Sequence, residues 1–353
     1  MDATAALVSS ASASNFPVLL PGWISTCVCA SNIWVAIRLL LSIPVTSLSQ
    51  ANTPPYLGKF RSGCAGASKH GLEISGIGGI DMDLHTCFHL EAVQTPPAGT
   101  LEQAGWTLVD WYLHVLSQRA ASLLTFSRYV VADACFSKKK FADGLIGVGF
   151  DLISRLRDDA VLMYLTKEKP AGKRGRPKKY DGRIVLKSLE SDRFEVFPLE
   201  EGQGMIYSAI VYAKALERNI RLCIWESEDK STRKLYFSTD MTMTAMDVLK
   251  FYRCRFQVEF CFRDAKQFTG LTDAQSRDLN RLHFHFNAPL TSVNIAKAVA
   301  IKQGKSLSMA TTKVLLHNIF LLQRFIDVSG YKPDDEINRM FWKEVVHFAD
   351  IAA

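Results

Sequence analysis

The chain has 353 residues, of which 48% are apolar, 10% aromatic and 22% charged, and this composition excludes a disordered or collagen-like protein. The length leaves room for about two domains of roughly 150 residues each, and a formal net charge of +7, from 42 Lys and Arg against 35 Asp and Glu, is too small to define a partner. Eight scattered cysteines without a CxxC pair exclude a disulfide framework or a ladder of zinc ligands, and they fit a reducing, cytoplasmic setting.

The N-terminal stretch differs from the rest. Between residues 3 and 58 the only charged residue is Arg38. Residues 16–45 are apolar enough for a membrane span, with Trp23 and Trp34 placed as interface anchors. Pro17, Pro21 and Gly22 interrupt that reading, Arg38 falls inside it, and the positive n-region of a signal peptide is missing. A leader without regular structure, a single anchor and a translation product never selected to fold all remain open at this point.

From residue 56 the pattern alternates between strand and helix. Residues 72–80 and 86–93 are apolar runs around Asp81-Met82-Asp83, the signature of a β-hairpin. Gly76-x-Gly78-Gly79 lacks a following helix with dinucleotide spacing and reads as a bulge or turn. Residues 108–124 carry helical spacing at Leu113, Leu116, Ala120 and Leu124. Tyr129-Val130-Val131 is a short buried-type strand, followed by a helix around residues 138–146 and a strand at 150–156. A hairpin followed by alternating elements predicts an α/β fold, a mixed sheet flanked by helices.

Asp133 stands directly after the buried strand, where open α/β sheets place ligand chemistry. The competing reading makes it the N-cap of the helix that holds Lys138, Lys139 and Lys140. Further on, residues 167–183 hold eight Lys and Arg against two acids. Within that run Arg174-Gly175-Arg176-Pro177 is similar to the core of an AT-hook, which slides arginines into a narrow minor groove. Lys173, Arg174, Arg176, Lys178 and Lys179 are therefore candidate DNA contacts, against the alternative of a solvated charged loop. Residues 184–196, 206–211, 222–225 and 234–237 read as strands of a β-rich insertion.

At 100° per residue, Tyr252, Arg255, Glu259 and Lys266 fall within about 60° of one another on a single helix. Phe251, Phe256, Val258, Phe260 and Phe262 make the remaining circumference apolar, so the charged stripe is expected to face a site. His283-x-His285 has no further ligand nearby and reads as structural. Residues 290–348 read as helical, a packing or subunit-contact element.

The spacing Tyr252-x2-Arg255-x3-Glu259-x6-Lys266 resembles the Tyr-Arg-Glu-Lys signature of the IS-four-like insertion-sequence transposases, members of the DDE group. The stretches around Asp133 and at residues 63–83 resemble the same family, and the likeness spans residues 55–325. It implies a ribonuclease H-like fold with a β-rich insertion between the second and third catalytic carboxylates. It also implies two divalent metals, Mg2+ or Mn2+, about 4 Å apart. Carried over, Asp133 is the second carboxylate and Glu259 the third, both metal ligands, while Tyr252, Arg255 and Lys266 grip DNA near the scissile phosphate. The implied partners are insertion-sequence ends, target DNA and a second copy in a homodimer, with no small-molecule substrate and no membrane.

In the family the first carboxylate lies before the hairpin, in a motif resembling Asp-Pro-Ser-Tyr-Ile-x-Lys-Ser-Gly-Lys-x-Thr-Pro. This chain has no acidic residue between positions 3 and 72. Codons compatible with residues 43–54, read one frame away, encode Asp-Pro-Ser-Tyr-Ile-Ser-Lys-Ser-Gly-Lys-His-Thr. Residues 1–54 are accordingly expected to be an out-of-frame leader. The catalytic domain would then occupy residues 55–166 and 241–290, around a basic, β-rich insertion at 167–240 and ahead of a helical region at 291–353. The expected function is DNA strand cleavage and transfer, impaired by loss of the first Asp. The alternatives are an inactive DNA-binding remnant and a membrane-anchored protein.

Overall fold

A computed structural model describes residues 33–44, 54–62, 66–166, 178–186, 188–200, 203–302, 304, 308–330 and 348. Its centre is a mixed sheet. Strand β1 (Ile33–Pro44) pairs antiparallel with β3 (Ala67–Asp81) and parallel with β5 (Tyr129–Val131). The latter runs parallel to β6 (Asp151–Leu156). Strands β2 (Gly58–Ser62) and β4 (Thr86–Thr95) share the outer edge of β3. The predicted hairpin is thus present, turning where Asp81 Oδ1 accepts from the amides of Asp83 and Leu84, each at 2.9 Å. The register slips between Ile77 and Gly78, the bulge expected of the glycine run.

Beyond β6 the sheet does not stop. It continues antiparallel through β12 (Arg233–Ser238), β11 (Arg218–Glu226), β10 (Met205–Ala213), β7 (Leu162–Leu165) and β8 (Tyr180–Arg183), with β9 (Glu195–Pro198) beside β10. The β-rich insertion therefore extends the same sheet. The apolar N-terminal stretch also enters it, because residues 33–44 form β1. Residues 1–32 and 45–53 lie outside the described residues. Among the described residues no helix is long and apolar enough to cross a membrane.

Side chains alternate across the strands and fill two layers. Val130 and Leu152 face Trp111, Tyr112 and Leu116 of α2 (Leu108–Leu123), which follows the short α1 (Ala98–Gln103), together with Phe141 and Leu145 of α3 (Lys139–Gly147). Val131 and Ile153 face the opposite layer, built from α4 (Ala245–Cys254), α5 (Gln257–Phe268) and α6 (Leu279–Lys302). A last helix, α7 (Met309–Ser329), ends on Gly330 in the left-handed conformation. Both histidines of His283-x-His285 sit on α6, about 200° apart on a helix and so on no common face.

Strand β4 is an edge whose free backbone groups are claimed by α6. Asn294 accepts from His89 N–H at 2.8 Å and donates to His89 C=O at 2.7 Å. One helical face earlier, Asn287 does the same for Ala92, at 2.8 and 2.9 Å. Lys297 Nζ donates to Cys87 C=O at 2.5 Å. An exposed strand edge would otherwise template pairing with another chain.

Candidate active site

The site starts from the end of β5. Ala132 N–H donates to Ile153 C=O at 3.0 Å, and the buried Ser154 hydroxyl donates to Asp133 C=O at 3.1 Å, so β6 fixes the backbone on both sides of Asp133. The Asp133 carboxylate is exposed and accepts from the amide of Ala134 at 2.7 Å, capping a 3₁₀ turn at Ala134–Phe136. It is thus a cap, but not of α3, whose N-cap is Lys138. Its Oδ1 also receives the Tyr252 hydroxyl at 3.5 Å from across the helical layer.

Tyr252, Arg255, Glu259 and Lys266 do not lie on a single helix. Helix α4 ends at Cys254 and α5 begins at Gln257. Between them the amides of Arg255, Phe256, Val258 and Glu259 bond three residues back, at 2.9–3.3 Å. This is 3₁₀ geometry, in which residues i and i+3 eclipse. Tyr252 and Arg255 are therefore stacked, with the guanidinium carbon 5.6 Å from the ring centroid, and Arg255 pairs with Glu259 at 3.5 Å. Both caps keep right-handed backbone angles, so the chain tightens without reversing direction.

Two glycines let α5 sit this close to the sheet. A Cβ at Gly76 would run into the Phe262 ring, and one at Gly78 would lie 2.5 Å from Cys87 Sγ and 3.6 Å from Val258. The Tyr252 ring rests on Tyr236, 4.8 Å between centroids. Burial, with a smaller contribution from Asp133, pushes its phenol up to about 12 against the opposing pull of Arg255 and Arg155. Tyr252 is thus a neutral hydroxyl donor at neutral pH.

The structure therefore brings together Asp133, Tyr252, Arg255 and Glu259. Lys266 is exposed two turns along α5 from Glu259, about 10 Å of helix rise away. Lys178 and Lys179 precede β8, six strands from β5 and so about 29 Å across the sheet. Lys178 Nζ is 3.9 Å from Asp181. Lys173, Arg174 and Arg176 lie outside the described residues.

Residues 80–295 match the family model described as Transposase DDE domain, a span of more than half the chain that contains all of Asp133, Tyr252, Arg255, Glu259 and Lys266. The chain belongs to this DDE transposase family. No curated protein matches it. The mixed sheet flanked by helices agrees with the ribonuclease H-like fold of a DDE transposase.

Membership in the DDE transposase family implies divalent-metal chemistry, and the residues present fit that demand only in part. Asp133 and Glu259 offer hard oxygen donors, yet Glu259 is engaged by Arg255. Among the described residues no group of three or more His, Cys, Asp or Glu could hold a metal. Strand register explains the gap. Val35 pairs with Val130 and Ala36 with Val131, and two residues further along both strands the position level with Asp133 is Arg38. The out-of-frame motif puts the expected first carboxylate at the position of Ile43, near the end of β1, where no acidic residue stands, and the rest of that motif, at 45–53, lies outside the described residues.

Other carboxylates of the transposase domain do not fill the place. Glu73 lies opposite Ser42 near the same sheet edge, but it belongs to the other layer, hydrogen-bonded to Thr95 beside Tyr112. Asp81 makes the hairpin turn, and Asp110 closes the capping box of α2 and pairs with Lys140. Arg155, which the sequence reading does not single out, stands at the site: it pairs with Tyr236 in register, and its charge acts on the Tyr252 phenol. Its signal was positional, two residues past Ile153 on the strand beside Asp133. The Nε atoms of Arg155 and Arg255 are both buried without a hydrogen-bond partner among the described residues.

Proposed function

We propose that this DDE transposase is of the IS-four-like type and engages DNA at the Asp133 edge of the sheet, with strand cleavage impaired by an incomplete carboxylate set. The observation that carries the reading is the linked arrangement of Asp133, Tyr252, Arg255 and Glu259, beside a strand β1 that has Arg38 level with Asp133 and no acidic residue. Arg255 and Arg155 supply cationic donors for a phosphate, and Tyr252 supplies a neutral hydroxyl. Lys266 extends this contact along α5, and the basic run around Lys173, Arg174, Arg176, Lys178 and Lys179 adds salt-sensitive affinity for the duplex. Magnesium or manganese is the metal that oxygen ligands of this type select. A homodimer acting on paired insertion-sequence ends in the cytoplasm completes the proposal, with residues 1–54 read out of frame.

The test is a nicking and strand-joining assay of the purified full chain on supercoiled plasmid with Mg2+ or Mn2+. The expected result is DNA binding that weakens with salt, together with cleavage no greater than that of Glu259→Gln. Robust metal-dependent nicking that Glu259→Gln abolishes would overturn the impaired reading.

A further inference from the structure

A second surface runs beside the carboxylate site. It begins on β11, where Lys234 Nζ lies 5.7 Å and Arg253 Cζ 5.9 Å from the ring centroid of Trp225. It continues along the helical layer through Phe256, which is 48% exposed and meets Phe260 edge to face with centroids 5.0 Å apart. Arg263 Cζ then lies 4.6 Å over the Phe260 ring. Arg253, Phe256, Phe260 and Arg263 follow at helical spacing, so they form one face, next to the face of Arg255 and Glu259.

Trp225 packs at the margin of the α4–α6 core, but neither core includes Phe256 or Phe260. Phe251 and Phe262 are buried against the sheet, whereas Phe256 is not. A phenylalanine left half in water beside a functional helix, edge to face with Phe260 and on a face that also carries Arg253 and Arg263, matches the chemistry of an unpaired nucleobase. The ring supplies a stacking face and the guanidinium groups meet the backbone phosphates on either side. A duplex keeps its bases stacked inside and offers nothing for the ring to receive.

We infer that the row of Trp225, Lys234, Arg253, Phe256, Phe260 and Arg263 is a binding track for single-stranded DNA, with Phe256 as the base-stacking platform next to the carboxylate site. This rests on the proposed DNA-engaging function and adds the state of the DNA that is bound. The track would hold a strand whose bases have been unpaired at the edge of the site.

The experiment measures binding of the full chain by fluorescence anisotropy, in chelator, to a labelled blunt duplex and to the same duplex carrying an unpaired tail of about six thymidines, with stacking contributing roughly five- to a hundredfold per base. The unaltered chain is expected to prefer the tailed DNA. Phe256→Ala should lower affinity for the tailed DNA at least fivefold and leave the blunt duplex within about twofold, and Phe256→Tyr, which keeps the ring, should restore the preference. Quenching of tryptophan fluorescence by the tail but not by the blunt duplex, lost in Trp225→Phe, gives a readout independent of the Phe256 variants. Equal binding of both DNAs by the unaltered chain, or an equal loss for both in Phe256→Ala, overturns the track and leaves the proposed function intact. Failure to bind either DNA overturns that function as well.

Discussion

Replacing Asn294 with Ala removes both hydrogen bonds by which α6 closes one position of the β4 edge. Asn294 is 2% exposed, and it satisfies the amide of His89 at 2.8 Å and its carbonyl at 2.7 Å. His89 is itself buried, so neither group gains water when the amide side chain is cut back to a methyl. Each buried backbone group left without a partner costs about 1–3 kcal/mol. Alanine returns roughly 0.5 kcal/mol through its better helix propensity. The net loss is then about 2–5 kcal/mol, a large fraction of the roughly 5–15 kcal/mol that holds a typical domain folded. Urea unfolding followed by tryptophan fluorescence reads this as a lower midpoint at unchanged slope. Asn287→Ala, two helical turns away on the same face, should cost a similar amount, and because Asn287 Oδ1 also meets His89 Nε2 at 2.9 Å the two substitutions share a partner and the double variant should depart from additivity by more than about 0.5 kcal/mol. A loss under about 0.5 kcal/mol for Asn294→Ala would refute the view that α6 acts as the missing strand.

Gly76→Ala places a methyl against the Phe262 ring and should cost about 1–3 kcal/mol by overpacking. Adding Phe262→Leu should recover part of the loss in the same unfolding assay, and no recovery would mean that α5 is not seated on the glycine. A second prediction concerns pH. Burial pushes the Glu73 carboxyl from 4.5 up to about 7 and the His89 imidazole from 6.5 down to about 4. The Glu73 contribution to stability is full below pH 4.5 and is lost as pH rises through about 7, whereas that of His89 is full above pH 6.5 and is lost as pH falls through about 4. The two slopes oppose one another between pH 4.5 and 6.5, so these groups leave stability there nearly flat. Glu73→Gln leaves His89 alone, and stability should then climb with pH by up to about 1.4 kcal/mol per unit. A variant whose stability stays flat across that window would show that His89 is protonated in the fold.

Local pattern made much of this legible. The hairpin, the helix at Leu108–Leu123 and the strand Tyr129–Val131 follow from alternation, periodicity and turn chemistry within a few residues of one another. Asp133 could be singled out because a buried strand ends just before it. The break between α4 and α5 could not, because ideal 100° steps already aligned Tyr252, Arg255 and Glu259, and the tightening was set by how Val258 and Phe262 seat on Gly78 and Gly76. The polar face of α6 was equally hidden. Asn287 and Asn294 look like weak helix formers until their partners, about two hundred residues earlier in the chain, are known. The place of Arg155 emerged only once β12 was seen beside β6.

The 3₁₀ link between α4 and α5 also acts as a phase adjuster. A residue in a 3₁₀ turn advances about 120° around the axis, against about 100° in an α-helix. If the residues from Arg255 to Val258 relaxed to α-helical bonding, α5 would rotate by roughly 80° relative to α4. Glu259 would then pass from about 60° on one side of the Tyr252 direction to about 20° on the other, without any change in sequence. The angular offset between Tyr252 and Glu259 is thus held in the ring size of four backbone hydrogen bonds.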